Sequence, residues 1–274
     1  METIRISGVP ELACDLVGDG PPVVFLHGIG GNRTNWARQQ RALEDEFSTM
    51  AWDARGYGDS ADVPGERRFT HFADDLLRLL DQQNIEKAHL VGLSMGARIL
   101  LTFFPLHAER VATLTLCDCF YGFNAMSDEK RRDFLALREK PLREGKTFAD
   151  LAPALVESLV SPDCAPEIAA ELFDSIVLLR VEPYLKTLMA TTVFDALAAM
   201  DEINVPVQLI FGEHDRLSPP SIGEEMVSLI ADARLAVLEG AGHLSNLERP
   251  TQFNDTLRSF LSQRATTASY RERL

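Results

Sequence analysis

Short apolar runs alternate with longer segments that carry apolar residues at helical spacing over the first 120 residues. The clearest run, 23–26, contains no polar residue, which is typical of an interior strand covered on both faces. The predicted strands are 23–26, 47–52, 88–91 and 111–116, preceded by a hairpin of 3–7 with 12–17. The predicted helices are 36–43, 69–83 and 97–104.

The pattern changes at about residue 120, and only helical spacing is found from there to about residue 195. The helices predicted in this stretch are 130–139, 148–159, 166–179 and 183–190. Beyond it, the sequence predicts strands at 205–211 and 235–238, helices at 224–230 and 252–262, and a loose polar tail at 265–274.

Strands that alternate with helices predict an α/β fold with a mostly parallel central sheet flanked by helices. The helical stretch interrupts this alternation, so we expect a helical cap over the carboxyl ends of the strands, where ligands bind in open α/β sheets. The sequence therefore predicts a core of residues 1–119 and 196–274 and a cap of residues 120–195.

Composition narrows the choice of function for these 274 residues. A formal net charge of -14 argues against non-specific nucleic-acid binding and against an electrostatic membrane anchor. The start, Met1 to Ser7, lacks a signal peptide's basic and apolar regions, and no apolar run approaches the ~18 residues of a membrane span. Cys14, Cys117, Cys119 and Cys164 form no C-x-x-C pair. We therefore expect a cytoplasmic protein with buried free thiols and no metal site.

The pentapeptide Gly92-Leu93-Ser94-Met95-Gly96 fits the pattern G-x-S-x-G, with a predicted strand before it and a predicted helix after it. A serine on such a sharp turn is held with its hydroxyl exposed above the sheet. The flanking glycines leave room where a side chain would clash. We expect Ser94 to be a nucleophile, although a serine at an ordinary turn can also cap a helix.

A serine nucleophile needs a base and a group that orients that base. His243 lies in a glycine-rich loop directly after the last predicted strand, which favours it as the base. Asp215 follows another strand end and is the preferred acid, with Asp118 as the alternative. Both choices keep the chain order Ser, Asp, His.

Acyl transfer also needs hydrogen-bond donors for the developing oxyanion. The backbone N–H of Met95 follows the nucleophile at a helix start and is one candidate. The second is the N–H of Ile29, in the early segment His27-Gly28-Ile29-Gly30-Gly31. This segment lacks the Gly-Lys-Ser/Thr of a P-loop, so a phosphate-binding role is not favoured.

Taken together, five motifs in this order resemble the α/β-hydrolase superfamily. They are His27-Gly28, the segment from Asp53 to Ser60, Gly92 to Gly96, Gly212 to Asp215, and Gly240 to His243. The resemblance implies the α/β-hydrolase fold with an eight-stranded sheet, a helical cap and no cofactor. It also implies a Ser-His-Asp triad of Ser94, His243 and Asp215. The segment from Asp53 to Ser60 is a family marker, which we interpret as a structural turn in which Arg55 ties loops together.

Within the superfamily, the stretch from Ala241 to Pro250 is most similar to the 3-oxoadipate enol-lactonases. Pro219-Pro220 and the segment from Tyr184 to Asp195 agree with this resemblance. The chain departs from it at Leu159, where the family's cap is expected to have tryptophan. The resemblance implies a serine hydrolase of a small carboxylic ester or enol-lactone, active in the catabolism of aromatic compounds.

Three alternatives share these motifs. Bacterial aryl esterases have the same core, and carbon–carbon hydrolases of aromatic meta-cleavage products are related, although they usually carry tryptophan where this chain has Leu244. A hydrolase-fold receptor with slow turnover is the third. A dehalogenase or an epoxide hydrolase is disfavoured, because its nucleophile would be aspartate instead of Ser94.

The expected partner is a small ester or lactone, with neither nucleic acid nor membrane, and a homodimer is left open. Because the overall charge is negative, a substrate carboxylate would have to be bound by cations close to the site. The candidates are Arg98, Arg132, Arg138, Arg143, Arg180 and Lys186. For each of them, a solvated helix face is the alternative interpretation.

Overall fold

A central β-sheet organises the computed structural model, which describes residues 1–122 and 127–271. Its strands are β1 (Glu2–Ile6), β2 (Leu12–Val17), β3 (Pro22–Leu26), β4 (Ser48–Trp52), β5 (Ile85–Leu93), β6 (Val111–Cys117), β7 (Val207–Gly212), β8 (Ala233–Leu238) and β9 (Ser269–Tyr270). Eight of them follow the order β1-β2-β4-β3-β5-β6-β7-β8, and β9 pairs with β5. The pairs from β4-β3 through β7-β8 are parallel, so these strands end at one edge of the sheet.

Helices cover both faces of this sheet. Those outside the predicted cap are α1 (Ala37–Leu43), α2 (Phe69–Gln82), α3 (Met95–His107), α8 (Pro220–Leu229), α9 (Ser245–Glu248) and α10 (Pro250–Ser262). One hydrophobic layer joins α2, α3 and α8 to the strands through residues such as Leu76, Phe103 and Met226. The opposite layer joins α1 and α10 through Leu43 and Phe253. This arrangement confirms the predicted α/β class with a mostly parallel sheet.

In the described part of the stretch between β6 and β7, 118–122 and 127–206, there are four α-helices: α4 (Asp128–Arg143), α5 (Phe148–Leu159), α6 (Pro166–Val177) and α7 (Val181–Thr192). They share a hydrophobic cluster of their own, which includes Phe148, Leu172 and Leu188 and reaches Leu247 of α9. The division of the chain into a core (1–119 and 196–274) and a cap (120–195) stays a prediction.

The tail is not entirely loose, which corrects the sequence-based expectation. Ser269–Tyr270 forms β9, antiparallel to the start of β5. The backbone N–H of Arg271 donates to the carbonyl of Asn84 at 2.7 Å. The partner of this short strand lies far away in the sequence, so local polarity could not indicate it. The rest of the tail, 272–274, lies outside the described residues.

The four cysteines are free thiols. Cys14, Cys117 and Cys119 are buried, as predicted, whereas Cys164 is partly exposed in the loop after α5, which corrects that part of the prediction. Across 1–122 and 127–271 we find no helix with the length and apolar character that a membrane span requires.

Candidate active site

Ser94 lies on the sharp turn between β5 and α3. Its backbone has φ 52° and ψ -106°, a conformation that side-chain-bearing residues adopt only when the surrounding structure holds them there. Its N–H donates to the carbonyl of Cys117 at 2.9 Å, which anchors the turn to β6. The side chain is therefore presented at the edge where the parallel strands end.

The two glycines of this turn are required by close backbone contacts. A Cβ atom at Gly92 would lie 2.5 Å from the carbonyl carbon of Gly96. A Cβ atom at Gly96 would lie 2.1 Å from the carbonyl oxygen of Leu26, in the neighbouring strand. Both distances are far shorter than van der Waals contact. Glycine at 92 therefore lets the end of β5 approach the start of α3, and glycine at 96 lets α3 approach strand β3.

His243 and Asp215 form a hydrogen-bonded pair on neighbouring loops. The Nδ1 atom of His243 lies 2.8 Å from Oδ2 of Asp215. The other carboxylate oxygen, Oδ1, accepts from the N–H groups of Leu217 at 2.8 Å and Ser218 at 3.0 Å. An ionised carboxylate only accepts hydrogen bonds, so the proton of the neutral imidazole is on Nδ1 and Nε2 can take up another proton.

Charges around His243 favour its protonated form. Burial opposes protonation, but the Asp215 carboxylate, assisted by Asp118, outweighs it and raises the pKa of His243. The cation of Arg98 acts in the opposite direction. A buried imidazole stabilised in this way is suited to receive a proton during a reaction.

Asp118 occupies a separate position behind the pair. Its carboxyl accepts from the N–H of Gly212 at 2.8 Å and from the hydroxyl of Ser245, and not from His243. Burial, together with the nearby Asp215 carboxylate, raises the pKa of Asp118 to about 8. Among the two acids that the sequence offered, Asp215 is therefore the one in contact with the histidine.

A cavity of about 260 Å³ brings these groups together. Ser94, Ile29 and His243 all line it, and Ser94 is only 6% exposed. Met95 is the first residue of α3, so its N–H lies outside the hydrogen-bond ladder of the helix. Much of the remaining wall is apolar and comes from the segment between β6 and β7. These wall residues include Leu155, Leu159, Leu172, Ile176, Leu179 and Leu188.

His27 fixes the loop that carries Ile29, a role that the sequence analysis did not assign. Its Nε2 accepts from the N–H of Ala54 at 3.1 Å, and its Nδ1 therefore donates to the carbonyl of Gly28 at 2.7 Å. Burial lowers the pKa of His27, which keeps the ring neutral in this arrangement. The position of His27 directly before Gly28 was the one sequence signal for this role. Its partner Ala54 follows a different strand, β4, so the sequence pattern could not indicate the contact.

Glu248 ties the histidine loop to the neighbouring helices and was also missed. Its carboxylate accepts from the N–H of Gly242 at 3.0 Å and from that of Ser161 at 2.8 Å. In addition, the N–H of His243 donates to the carbonyl of Leu159 at 2.7 Å. The position of His243 therefore depends on contacts with the segment that follows α5.

The predicted structural turn is held by ion pairs. Arg55 donates to both carboxylate oxygens of Asp75, at 2.5 and 2.8 Å, and so ties the turn to α2. Asp53 is buried and accepts from Arg33 and from the N–H of Asp59. Arg55 thus plays the tying role that we expected of it.

The six candidate cations occupy different places. Arg98 and Arg138 line the cavity. Arg143 and Lys186 pair with Glu182 and Asp62, Arg180 donates to a backbone carbonyl, and Arg132 is exposed. Within the ranges that the structure describes, no group of three or more histidine, cysteine or acidic side chains is arranged to hold a metal ion.

Comparison with known proteins agrees with this fold. The sequence profile of the alpha/beta hydrolase fold matches residues 21–250. The protein named carbamate hydrolase RutD from Escherichia coli O157:H7 is 30% identical over 251 residues, covering 87% of this chain and 90% of that protein. The 3-oxoadipate enol-lactonase 2 of Acinetobacter baylyi is 26% identical over 251 residues, covering 89% and 90%.

Among solved structures, a thermophilic esterase from Thermogutta terrifontis with malate bound superimposes with a TM-score of 0.88. It is 28% identical, and the match covers 96% of this chain and 99% of the esterase. The predicted resemblance to enol-lactonases within a hydrolase superfamily is confirmed by these similarities. The chain therefore belongs to the alpha/beta hydrolase family.

Proposed function

We propose that this hydrolase cleaves small carboxylic esters or lactones, including enol-lactones, through an acyl-enzyme on Ser94. The observation on which the proposal rests is the hydrogen bond between His243 and Asp215, in the cavity that Ser94 also lines. The carboxylate holds the imidazole in the tautomer whose Nε2 can accept a proton. A nucleophile and a base thereby line one cavity, and an orienting acid contacts the base.

In the first half of the reaction, the Ser94 hydroxyl oxygen attacks the carbonyl carbon while its proton passes to Nε2 of His243. The N–H groups of Ile29 and Met95 stabilise the negative charge that develops on the carbonyl oxygen. The tetrahedral intermediate then breaks its bond to the alcohol oxygen, which takes the proton from His243. In a lactone, this alcohol remains attached to the acyl group.

In the second half, His243 removes a proton from water, and the resulting hydroxide equivalent attacks the acyl-enzyme carbonyl. The ester bond to Ser94 breaks, and the proton returns to the serine oxygen. The acid is released and the enzyme regains its starting state. The modest, mostly apolar cavity supports substrates of few carbon atoms better than long-chain esters.

Substitution of the nucleophile tests this mechanism. Ser94→Ala is expected to lower kcat/KM for 4-nitrophenyl butyrate by roughly 10⁴-fold or more, because the oxygen that attacks the carbonyl is removed. A fluorophosphonate should add to the wild-type chain at Ser94, as found by peptide mass analysis. Ser228→Ala, at an exposed helix position, serves as the control and should retain activity. Wild-type turnover by the Ser94→Ala variant would refute the proposal.

A carbamate is a second candidate substrate, because a similar protein is named as a carbamate hydrolase and the same groups can attack a carbamate carbonyl. A panel of 4-nitrophenyl butyrate, an enol-lactone, a simple carbamate and a dienoate ring-fission product separates the classes by kcat/KM. We expect the ester or the lactone to be the best substrate. A higher value for the dienoate would favour carbon–carbon hydrolysis, and Ser94 labelling without turnover of any compound would favour a receptor.

A further inference from the structure

Arg98 lies in the first turn of α3, four residues after Ser94, and lines the cavity that Ser94 also lines. Ser94 is the residue directly before α3, so Arg98, about one helical turn further along, faces the same cavity. The residue is only 5% exposed. A positive charge is therefore held inside a mostly apolar cavity.

No counter-ion accompanies this charge among the residues of 1–122 and 127–271. No carboxylate lies within 4.0 Å of the guanidinium, its side chain donates no hydrogen bond there, and its buried Nε has no partner. The guanidinium instead lies over the ring of Phe120, with 3.8 Å between its central carbon and the ring centroid. Cys119 does not supply an anion, because burial raises the pKa of its thiol to about 12.

Three other arginines that are buried or partly buried are paired with carboxylates. Arg33, Arg55 and Arg67 pair with Asp53, Asp75 and Asp62, respectively. A buried charge without a partner is costly, which explains why such pairs are the rule. Burial lowers the pKa of Arg98 to about 10, so the side chain is still a cation at neutral pH. Arg98 thus stands out as a desolvated cation that is open on its cavity side.

We propose that Arg98 is a specificity-determining residue that binds a carboxylate group carried by the substrate. The inference rests on the proposed function and narrows it to anionic esters or lactones. A guanidinium can donate two parallel hydrogen bonds to a carboxylate, which a point charge cannot reproduce. The formal net charge of -14 makes the overall field unfavourable for anions, so recognition has to come from a local cation of this kind.

Arg138 is the second cation in the cavity wall, and it is less available. It lies over the ring of Phe134 at 3.7 Å, and its Nη1 donates to the carbonyl of Phe134 at 3.1 Å. The Nη1 atom of Arg138 is thus already engaged by a carbonyl of its own helix. We therefore assign the substrate carboxylate to Arg98.

A matched pair of substrates tests the assignment. Mono-4-nitrophenyl adipate and 4-nitrophenyl hexanoate have the same leaving group and acyl length, and they differ in a terminal carboxylate against a methyl group. The ratio of kcat/KM for adipate to that for hexanoate is expected to fall roughly 10- to 100-fold in Arg98→Gln, because a charge-assisted pair is lost. In Arg98→Lys the ratio should fall less. Arg132 is an exposed arginine on α4, and Arg132→Gln should keep the wild-type ratio. An unchanged ratio in Arg98→Gln would overturn the proposal.

Binding without turnover separates this inference from the proposed function. Calorimetry of adipate with the Ser94→Ala variant measures the carboxylate site alone, and adding Arg98→Gln should weaken binding at least 10-fold. Loss of adipate affinity in the double variant would support the Arg98 site even if no ester were hydrolysed. Equal affinity in both variants would reject the Arg98 site while leaving the hydrolase proposal in place.

Discussion

At the scale of single residues, position decides how identical side chains behave. Asp215 accepts hydrogen bonds from two backbone N–H groups and contacts His243. Asp118 is buried near Asp215, and its pKa is raised to about 8. Two of the three buried histidines, His27 and His243, differ in the same way. Burial lowers the pKa of His27, while the Asp215 carboxylate overcomes burial and raises that of His243. Of these two, His243 is therefore the one suited to accept a proton near neutral pH.

The raised pKa of His243 predicts the acid limb of the pH–rate profile. The base must be neutral, so kcat/KM for 4-nitrophenyl butyrate should fall on acidification with a midpoint above 6.5, the ordinary value for histidine. Asp215→Asn should move this midpoint down, because burial then acts without the opposing carboxylate, and should lower the rate by roughly 10⁴-fold. Initial rates read at the isosbestic wavelength of 4-nitrophenol measure both effects. A midpoint that is the same in both proteins would contradict the assigned role of Asp215.

At the scale of elements, the unit formed by β5, the turn and α3 places two different groups in one cavity. The turn presents Ser94, and the first turn of α3 brings Arg98 to the same side. This unit packs against β3 so closely that Gly96 lies against the backbone of Leu26. The geometry of the nucleophile is therefore fixed by strand and helix packing, not by a flexible loop.

Adding one methyl group tests that packing. Gly96→Ala should lower the free energy of unfolding by at least about 3 kcal/mol, because its Cβ would lie 2.1 Å from a backbone oxygen. Gly30→Ala is a matched control, since its Cβ would meet only Ile176 Cγ1 at 3.7 Å, an ordinary contact. Its cost should be below about 1 kcal/mol in the same urea titration. A similar loss in the free energy of unfolding for both variants would show that the close contact at Gly96 does not require glycine.

At the scale of the whole molecule, the site is assembled from loops that follow separate strands at one edge of the sheet. Ser94 follows β5, Asp215 follows β7 and His243 follows β8. The N–H of His214 donates to the carbonyl of Ala241 at 2.7 Å, which holds the last two loops together. Asp118, after β6, accepts from Gly212 at the end of β7 and from Ser245 at the start of α9, and so links these elements at the same edge.

The stability of the molecule should depend on Asp118 in a defined direction with pH. Its folded-state pKa of about 8 lies above the ordinary value of 3.8, so the folded protein retains a proton that the unfolded chain loses. Stability is therefore lost as pH rises from about 4 to about 8. Asp118→Asn avoids this loss and should be more stable than wild type at pH 8 by at least about 1 kcal/mol, with a smaller difference at pH 5.

Urea unfolding at both pH values measures the difference for Asp118→Asn. Asp255→Asn, at an exposed position of α10, is the control and should show no such trend. The asparagine can still accept from Gly212 and donate to Ser245, so the fold should be kept. An advantage of Asp118→Asn that is equal at pH 5 and pH 8 would contradict the raised pKa.

The sequence by itself determined most of the elements, because hydrophobic spacing reflects local geometry: α5 was predicted at 148–159, where the structure has Phe148–Leu159. It also determined the candidate nucleophile, base and acid, since their motifs are continuous segments that each follow a strand. Only the tertiary structure showed that Asp215, and not Asp118, contacts His243, because that contact joins separate loops. For the same reason, only the tertiary structure revealed that Glu248 holds the histidine loop and that the tail contains β9. It alone also revealed that Arg98 is a buried cation lacking a carboxylate partner among the described residues. Residues far apart in the chain come into contact only on folding, so a local sequence pattern cannot predict these contacts.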